Sequence, residues 1–131
     1  ESPADIAGQD DRGAISIGTA PPERGSVFRV VDFPPTDERG ISQEAVLEEM
    51  GLAGGHHGSR HPMMHRTRSI DYVVCMQGEI DMLLDESEVH MKAGDVMVQQ
   101  GTNHAWVNRG TAVCRIGFVL IDAVAPPGIE Y

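Results

Sequence analysis

Short apolar runs alternate with turn residues through the second half of the chain. The runs "SIDYVVCM", "VMVQQ" and "AVCRIGFVLID" are rich in β-branched residues, and they are separated by the turn-forming stretches "QGE", "GTN" and "RGT". Runs of this kind that recur every 8–12 residues or so are typical of a sandwich or barrel of strands. Because no helix of useful length interrupts them, the pattern predicts an all-β fold and excludes a parallel α/β sheet.

The first part of the chain has a different pattern. Residues 1–25 contain Gly, Pro and Asp without periodicity, and they predict an arm or tail that precedes a single barrel domain over 26–131. The stretch 41–51, "ISQEAVLEEMG", is the one helix candidate, with Ser42 as its cap and Gly51 just past its end. A helix of about two turns is too short to be stable alone. We therefore expect it to pack on a sheet.

Charge and composition narrow the classes of partner. The 131 residues carry a net charge of -10, which disfavours phosphate backbones and anionic membrane surfaces, so we expect neither nucleic acid nor membrane as a partner. The longest apolar runs are too short to span a bilayer. Cys75 and Cys114 lie in apolar stretches, and we expect them to be buried and not bonded to each other. A cytoplasmic location is the expectation that fits these features.

Three polar residues stand out against the apolar strands: His65, Asp71 and His104. Two imidazoles and one carboxylate that converge from different strands form a ligand set suited to Fe(II) and related divalent ions. The same groups could instead act as general acid and base without a metal. A third possibility is that they are structural side chains satisfied by hydrogen bonds. The residues alone leave these alternatives open.

The stretch around His65 resembles the first sequence motif of the cupin superfamily, a family of small jelly-roll barrels. That motif reads Gly, five residues, His-X-His, three or four residues, Glu, six residues, Gly. Here His65 takes the first His position, Thr67 stands at the second, and Asp71 takes the Glu position, six residues before Gly78.

The second cupin motif is matched by "GDVMVQQGTNHAWVN", which supplies Gly94, Gly101, His104 and Asn108, with Gln99 at the position usually held by Pro. The resemblance implies a cupin double-stranded β-helix. It also implies a homodimer, formed by swapped arms or packed sheets.

Both motifs depart from the usual cupin metal site, which resembles three His and one Glu. This chain offers only His65, Asp71 and His104 as ligands. One divalent ion (Fe, Mn, Zn or Ni) is one alternative and a metal-free site is the other. His61 is a possible additional ligand, whereas His56 and His57 are more typical of a solvated loop.

The leading functional hypothesis is a small-molecule enzyme that works inside the barrel. Its substrate would be a modest organic acid, a phenol or a polyketide-like compound, and its reaction a decarboxylation, isomerisation, dehydration or oxygenation. The alternatives are a non-catalytic ligand-binding or sensing barrel and a structural role, for which no residue argues. His65, Asp71 and His104 are the candidate catalytic residues. The residues expected to line the pocket are Thr67, Val73, Cys75, Trp106 and Asn108.

Overall fold

The computed structural model describes residues 3–8, 18–36 and 64–129. Within these ranges the chain forms strands and turns and no helix, so the prediction of an all-β fold is confirmed. The helix predicted over 41–51 lies outside the described residues. The seven strands are β1 (Ser26–Phe33), β2 (Ser69–Gln77), β3 (Glu79–Leu83), β4 (Glu88–Lys92), β5 (Val96–Gln100), β6 (Ala105–Val107) and β7 (Cys114–Asp122).

The strands form two antiparallel sheets. One has four strands in the order β1-β7-β2-β5, and the other has three in the order β4-β3-β6. β7 lies between β1 and β2, so that Leu120 is opposite Val27 on one side and Asp71 on the other. The β1 strand starts at the predicted end of the arm, while the division into arm and barrel remains a prediction.

The hydrophobic core lies between the two sheets. On β2 the side chains alternate, with Asp71, Val73 and Cys75 buried and Tyr72 and Val74 largely exposed, as the period of a half-buried strand requires. The buried side chains pack against Ile80 and Met91 of the smaller sheet and against the inner face of β7. The alternation predicted from sequence for β2 is therefore present.

The two cysteines meet in this core. Their Sγ atoms are 3.8 Å apart, well beyond the roughly 2.05 Å of a disulfide bond, and both thiols are free and buried. The expectation that Cys75 and Cys114 are not bonded to each other agrees with this arrangement.

Gly78 makes the turn between β2 and β3. Its φ of 78° lies in the left-handed region, which a residue with a side chain rarely adopts. A Cβ at this position would also lie 2.8 Å from the carbonyl oxygen of Val113. The glycine that closes the first cupin motif is thus required by backbone conformation and by close packing.

Asn108 joins the end of β1 to the loop that follows β6. Its Nδ2 donates to the carbonyl oxygens of Phe33 (2.9 Å) and Ala112 (2.8 Å), and its Oδ1 accepts from the backbone N–H of Gly110 (3.0 Å). The side chain is 1% exposed, so water cannot replace these bonds. The Asn of the second cupin motif therefore has a structural role here.

Replacing Asn108 with Ala should lower the free energy of unfolding by roughly 2–4 kcal/mol, because buried backbone groups lose their partners. Urea unfolding followed by circular dichroism would measure the change. Gln100→Ala on an exposed strand position is the control and should change stability little. A loss below about 0.5 kcal/mol for Asn108→Ala would show that the loop is held by other contacts.

The outer face of the four-stranded sheet is unusually apolar. Large hydrophobic side chains are exposed along three of its strands: Phe28, Val30, Tyr72, Val74, Met76, Val96 and Val98. Contiguous apolar surface of this kind often marks a protein contact. A homodimer of packed sheets would bury this face, and the homodimer remains a prediction. No helix in the described ranges is long and apolar enough to cross a membrane.

Candidate functional site

A cavity of about 360 Å³ opens between the sheets. Its apolar wall is built from Phe33 of β1, Trp106 of β6 and Phe118 of β7, whose ring centroids lie 5.7–6.3 Å apart. Polar groups of the three predicted site residues share the same cavity. The full lining is Gly18, Thr19, Arg29, Val31, Phe33, His65, Thr67, Asp71, His104, Trp106, Phe118 and Leu120.

The two site histidines lie directly opposite each other. The backbone N–H of His65 donates to the carbonyl of His104 at 2.8 Å, and the reverse bond is 2.9 Å long. The pairing places both rings on the cavity side, with centroids 4.3 Å apart, and both residues are buried. The sequence prediction that these rings point into the barrel matches their observed position.

His104 is held as a neutral imidazole. Its Nδ1 lies 2.8 Å from the carbonyl oxygen of Thr102, which can only accept, so Nδ1 carries the hydrogen and Nε2 keeps its lone pair. Burial, and next the proximity of His65, lower the pKa of His104 to about 3, against the opposing effect of the Thr102 carbonyl. At neutral pH the cavity therefore contains a hydrogen-bond acceptor at Nε2 rather than a positive charge.

Both oxygens of the Asp71 carboxylate accept hydrogen bonds. Ser69 Oγ donates to Oδ1 at 2.6 Å, and Gln99 Nε2 donates to Oδ2 at 2.8 Å. Asp71 is 4% exposed, so these two side chains replace water as the partners of its charge.

Gln99 links the carboxylate to the imidazole. Its Oε1 accepts a hydrogen bond of 2.6 Å from Thr102 Oγ1, which fixes the amide orientation and turns Nε2 inward. That Nε2 reaches Asp71 at 2.8 Å and His104 Nε2 at 3.3 Å. We refer to Asp71, Gln99 and His104 as the polar array. All three side chains are buried.

Sequence reasoning noticed Gln99 only as a departure from the motif and missed its place in the site. The alternation along β5 could have revealed it. Gln99 and Met97 point inward on this strand, while Val96, Val98 and Gln100 point outward. A long polar side chain on the inward face of a strand needs buried partners.

The described residues do not show the predicted metal site, and the ligand set of His65, Asp71 and His104 remains a prediction. Among residues 3–8, 18–36 and 64–129, no group of three or more His, Cys, Asp or Glu side chains is arranged to hold a metal ion. His65 and His104 are close enough to share a ligand, but the Asp71 carboxylate is directed to Ser69 and Gln99 instead. His61, the possible additional ligand, and His56 and His57 lie outside the described residues.

The residues expected to line the pocket divide into two groups. Thr67 and Trp106 line the cavity as predicted. Val73 and Cys75 do point inward, but they pack into the apolar core with Met91 and do not form part of the cavity wall. Asn108 is likewise absent from the lining, since its side chain is used by the loop contacts described above.

Arg29 is a cavity residue that sequence reasoning missed. It lies on β1 at a half-buried position that alternates with exposed ones, like Val27, Val31 and Phe33, and it is one of the residues that line the cavity. The pattern "VFRVVDF" contained the signal, because a strand that alternates in this way places Arg29 among apolar inward positions.

The structure is a barrel of two antiparallel sheets, and its buried polar residues meet in an internal cavity. This combination indicates a ligand-binding β-barrel. Residues 49–121 match the family model described as "Cupin domain", which covers more than half of the chain. The chain therefore belongs to the cupin family, and the resemblance proposed from its two motifs is confirmed.

Two fungal relatives give the context. The chain is 39% identical over 129 residues to "Phomopsin biosynthesis cluster protein C'" of Diaporthe leptostromiformis, covering 93% of this chain and 56% of that protein. It is 35% identical over 102 residues to "Cupin-domain-containing oxidoreductase fogC" of Aspergillus ruber, covering 75% of this chain and 39% of that one. The chain thus spans 56% of the length of the first relative and 39% of the length of the second.

Among solved structures, a Cupin 2 conserved barrel domain protein from Salinispora arenicola is similar to the chain with a TM-score of 0.48 and 19% identity. The match covers 75% of this chain and 64% of that one. Nothing about function follows from a likeness at this level.

Proposed function

We propose that this cupin is a small-molecule enzyme that moves a proton in its barrel cavity. The observation that carries the proposal is the polar array, in which a buried carboxylate and a neutral imidazole are joined by Gln99 and open onto an apolar cavity. Perturbed ionisable groups in a concave apolar pocket are typical of catalytic sites. Isomerisation, dehydration and decarboxylation are the reaction classes in which such a step is central.

The chemistry of the array indicates the kind of proton that is moved. An imidazole with a pKa of about 3 is a weak base, so it can remove only a proton that the substrate makes acidic. A carbon between two carbonyl groups has such protons, and so does the keto tautomer of an electron-rich phenol, in which the ring carbon is CH₂. The electron pair then moves onto the carbonyl oxygen, and the proton goes to His104 Nε2 as Gln99 Nε2 gives up its 3.3 Å contact with that atom. The negative charge of Asp71 stabilises the imidazolium that forms.

The substrate class follows from the cavity and from the relatives. Aromatic and aliphatic walls favour a compact, partly apolar organic acid, phenol or polyketide-like compound. The names of the relatives, a biosynthesis cluster protein and a cupin-domain-containing oxidoreductase, support a role in small-molecule metabolism. His65 shares the cavity and, through its proximity to His104, helps to keep that imidazole neutral.

Solvent deuterium exchange tests the proposal. Wild-type protein in D₂O would be incubated with 1,3-dicarbonyl compounds, 2-oxo acids and resorcinol-type phenols, and NMR would follow deuterium incorporation at carbon. We expect exchange above the buffer rate for at least one class. Gln99→Leu should lower that rate about 10²-fold, because it disconnects Asp71 from His104.

Gln100→Leu is the matched control, since the neighbouring glutamine points outward on the same strand and should leave the rate unchanged. Equal rates in both variants would contradict a catalytic role for the array. Binding of these compounds without any exchange would support the non-catalytic ligand-binding barrel instead. Cytoplasmic location remains a prediction alongside this function.

A further inference from the structure

Arg29 is a cation in an otherwise apolar section of the cavity wall. Its neighbours on the inward face of β1 are Val27, Val31 and Phe33, and across the sheet it pairs with Phe118 of β7. The residue is half-buried, and the hydrogen bond that its guanidinium makes is exposed to solvent. The charge is therefore accessible to a ligand that enters the cavity.

The hydrogen-bond partner of Arg29 does not neutralise its charge. Nη2 donates to the carbonyl oxygen of Gly18 at 2.6 Å, and within the described part of the chain the guanidinium has no carboxylate partner. Three other arginines in that part differ in this respect. Arg68 lies 3.6 Å from Asp122, Arg109 lies 2.8 Å from Glu88, and Arg115 lies 2.7 Å from Asp32.

The position of Arg29 relative to the polar array suits a small ligand. β7 separates β1 from β2, and Phe118 of β7 pairs with Arg29 on one side and with Val73 on the other. Two strand spacings amount to roughly 10 Å, and Asp71 lies a further two residues along β2. A compound of one ring with a short substituent can therefore touch the guanidinium and the array together.

We propose that Arg29 is the specificity-determining residue of this cavity, and that it selects substrates bearing a carboxylate by binding that group with its remaining N–H donors. The inference rests on the proposed function and narrows its substrate class to organic acids. A planar guanidinium matches the two oxygens of a carboxylate in geometry and charge. The apolar walls between Arg29 and the array then hold the rest of the ligand.

A purely structural role would have different consequences. If Arg29 served only to hold the chain at Gly18, its replacement would alter the binding of neutral and charged ligands alike. Discrimination between an acid and its neutral amide is therefore the measurement that separates the two roles. Trp106 is the single tryptophan of the chain and lines the cavity, so its fluorescence reports binding directly.

The experiment titrates the full chain with benzoate and phenylacetate, and in parallel with benzamide and phenylacetamide, while Trp106 fluorescence is recorded. We expect wild-type protein to bind the acids at least about tenfold more tightly than the amides. Arg29→Gln should remove that preference, and Arg29→Lys, which retains the charge, should keep part of it. Arg115→Gln on the exposed face of β7 is the control and should behave as wild type.

Equal affinity of the wild-type protein for acids and amides, or no binding of either, would overturn the proposal. It would also fail if Arg29→Gln retained the preference for acids. Because the readout is equilibrium binding, it does not depend on turnover. A failure of the proposed catalysis, seen as absent deuterium exchange, is thus distinguishable from a failure of carboxylate recognition.

Discussion

Asp71→Asn is expected to lower the rate of proton exchange about 10³-fold while the barrel remains folded. The substitution keeps the shape of the side chain and removes its charge. In the native array both Asp71 oxygens accept hydrogen bonds, one from Ser69 and one from Gln99. Asparagine has a single acceptor oxygen, so its NH₂ group would face one of these two donors.

If the asparagine NH₂ faces Ser69, it meets a hydroxyl that can accept as well as donate, with Thr67 Oγ1 as the alternative partner of that hydroxyl. If the NH₂ faces Gln99, the array must rearrange. If Gln99 turns its amide over, its Oε1 faces the asparagine NH₂, but the bond from Thr102 to Oε1 is lost and His104 Nε2 loses its donor. Protonated His104 would also lack the carboxylate that stabilises it. The two effects act on the same step, and we therefore expect a larger loss than for Gln99→Leu.

Deuterium exchange rates and elemental analysis would be measured together on wild type and Asp71→Asn. Asp32→Asn, an exposed carboxylate paired with Arg115, is the control and should have the wild-type rate. An unchanged rate in Asp71→Asn would make Asp71 a structural residue. Stoichiometric metal in the wild type that disappears in Asp71→Asn would instead favour the ligand role that the sequence suggested for this carboxylate.

The fold was predictable because its determinants are local. Alternation of apolar and polar residues on β2 fixes which side chains are buried, and Gly78 marks the turn that its backbone conformation requires. Motif spacing predicted that His65 and His104 both point inward, and the two residues form an isolated antiparallel bridge outside the named strands.

The chemistry of the site was less predictable because it depends on contacts between distant residues. Nothing in the spacing around Asp71 shows that its second oxygen is bound by Gln99, a residue 28 positions later. The alternation along a strand also shows only which side chains point inward, and not which of them lie at the level of the cavity. Val73 and Cys75 share the inward face with Asp71, but farther along β2 the space between the sheets is filled by side chains such as Met91.

Acid should destabilise the protein through His104. In the folded state burial holds the pKa of His104 at about 3, whereas the unfolded chain has an ordinary value near 6.5. Between these values the unfolded state binds a proton that the folded state does not. Stability from this residue is therefore complete above about pH 6.5 and is lost as pH falls towards 3, by roughly 3 kcal/mol between about pH 7 and pH 4.

His104→Asn removes the titrating group while its amide can still donate to the Thr102 carbonyl. Urea unfolding of wild type and variant at a series of pH values would isolate the contribution of His104, because the other groups cancel in the difference. His90→Asn is the control, and the opposite dependence of stability on pH is expected for it. Its hydrogen bond from the exposed ring to Asp81 raises the pKa of His90, so any stability from that residue is present in acid and lost as pH rises.

As pH falls, the wild type should therefore lose stability relative to His104→Asn. Between about pH 6 and pH 4 the slope of this difference against pH should approach the value for the uptake of one proton on unfolding. A difference that does not vary with pH would mean that His104 titrates normally in the folded protein. Its Nε2 would then be protonated in mild acid and donate to the cavity rather than accept. At about pH 7 the array would still contain a neutral base, but one of ordinary strength, and the restriction of the substrate to strongly acidified protons would no longer hold.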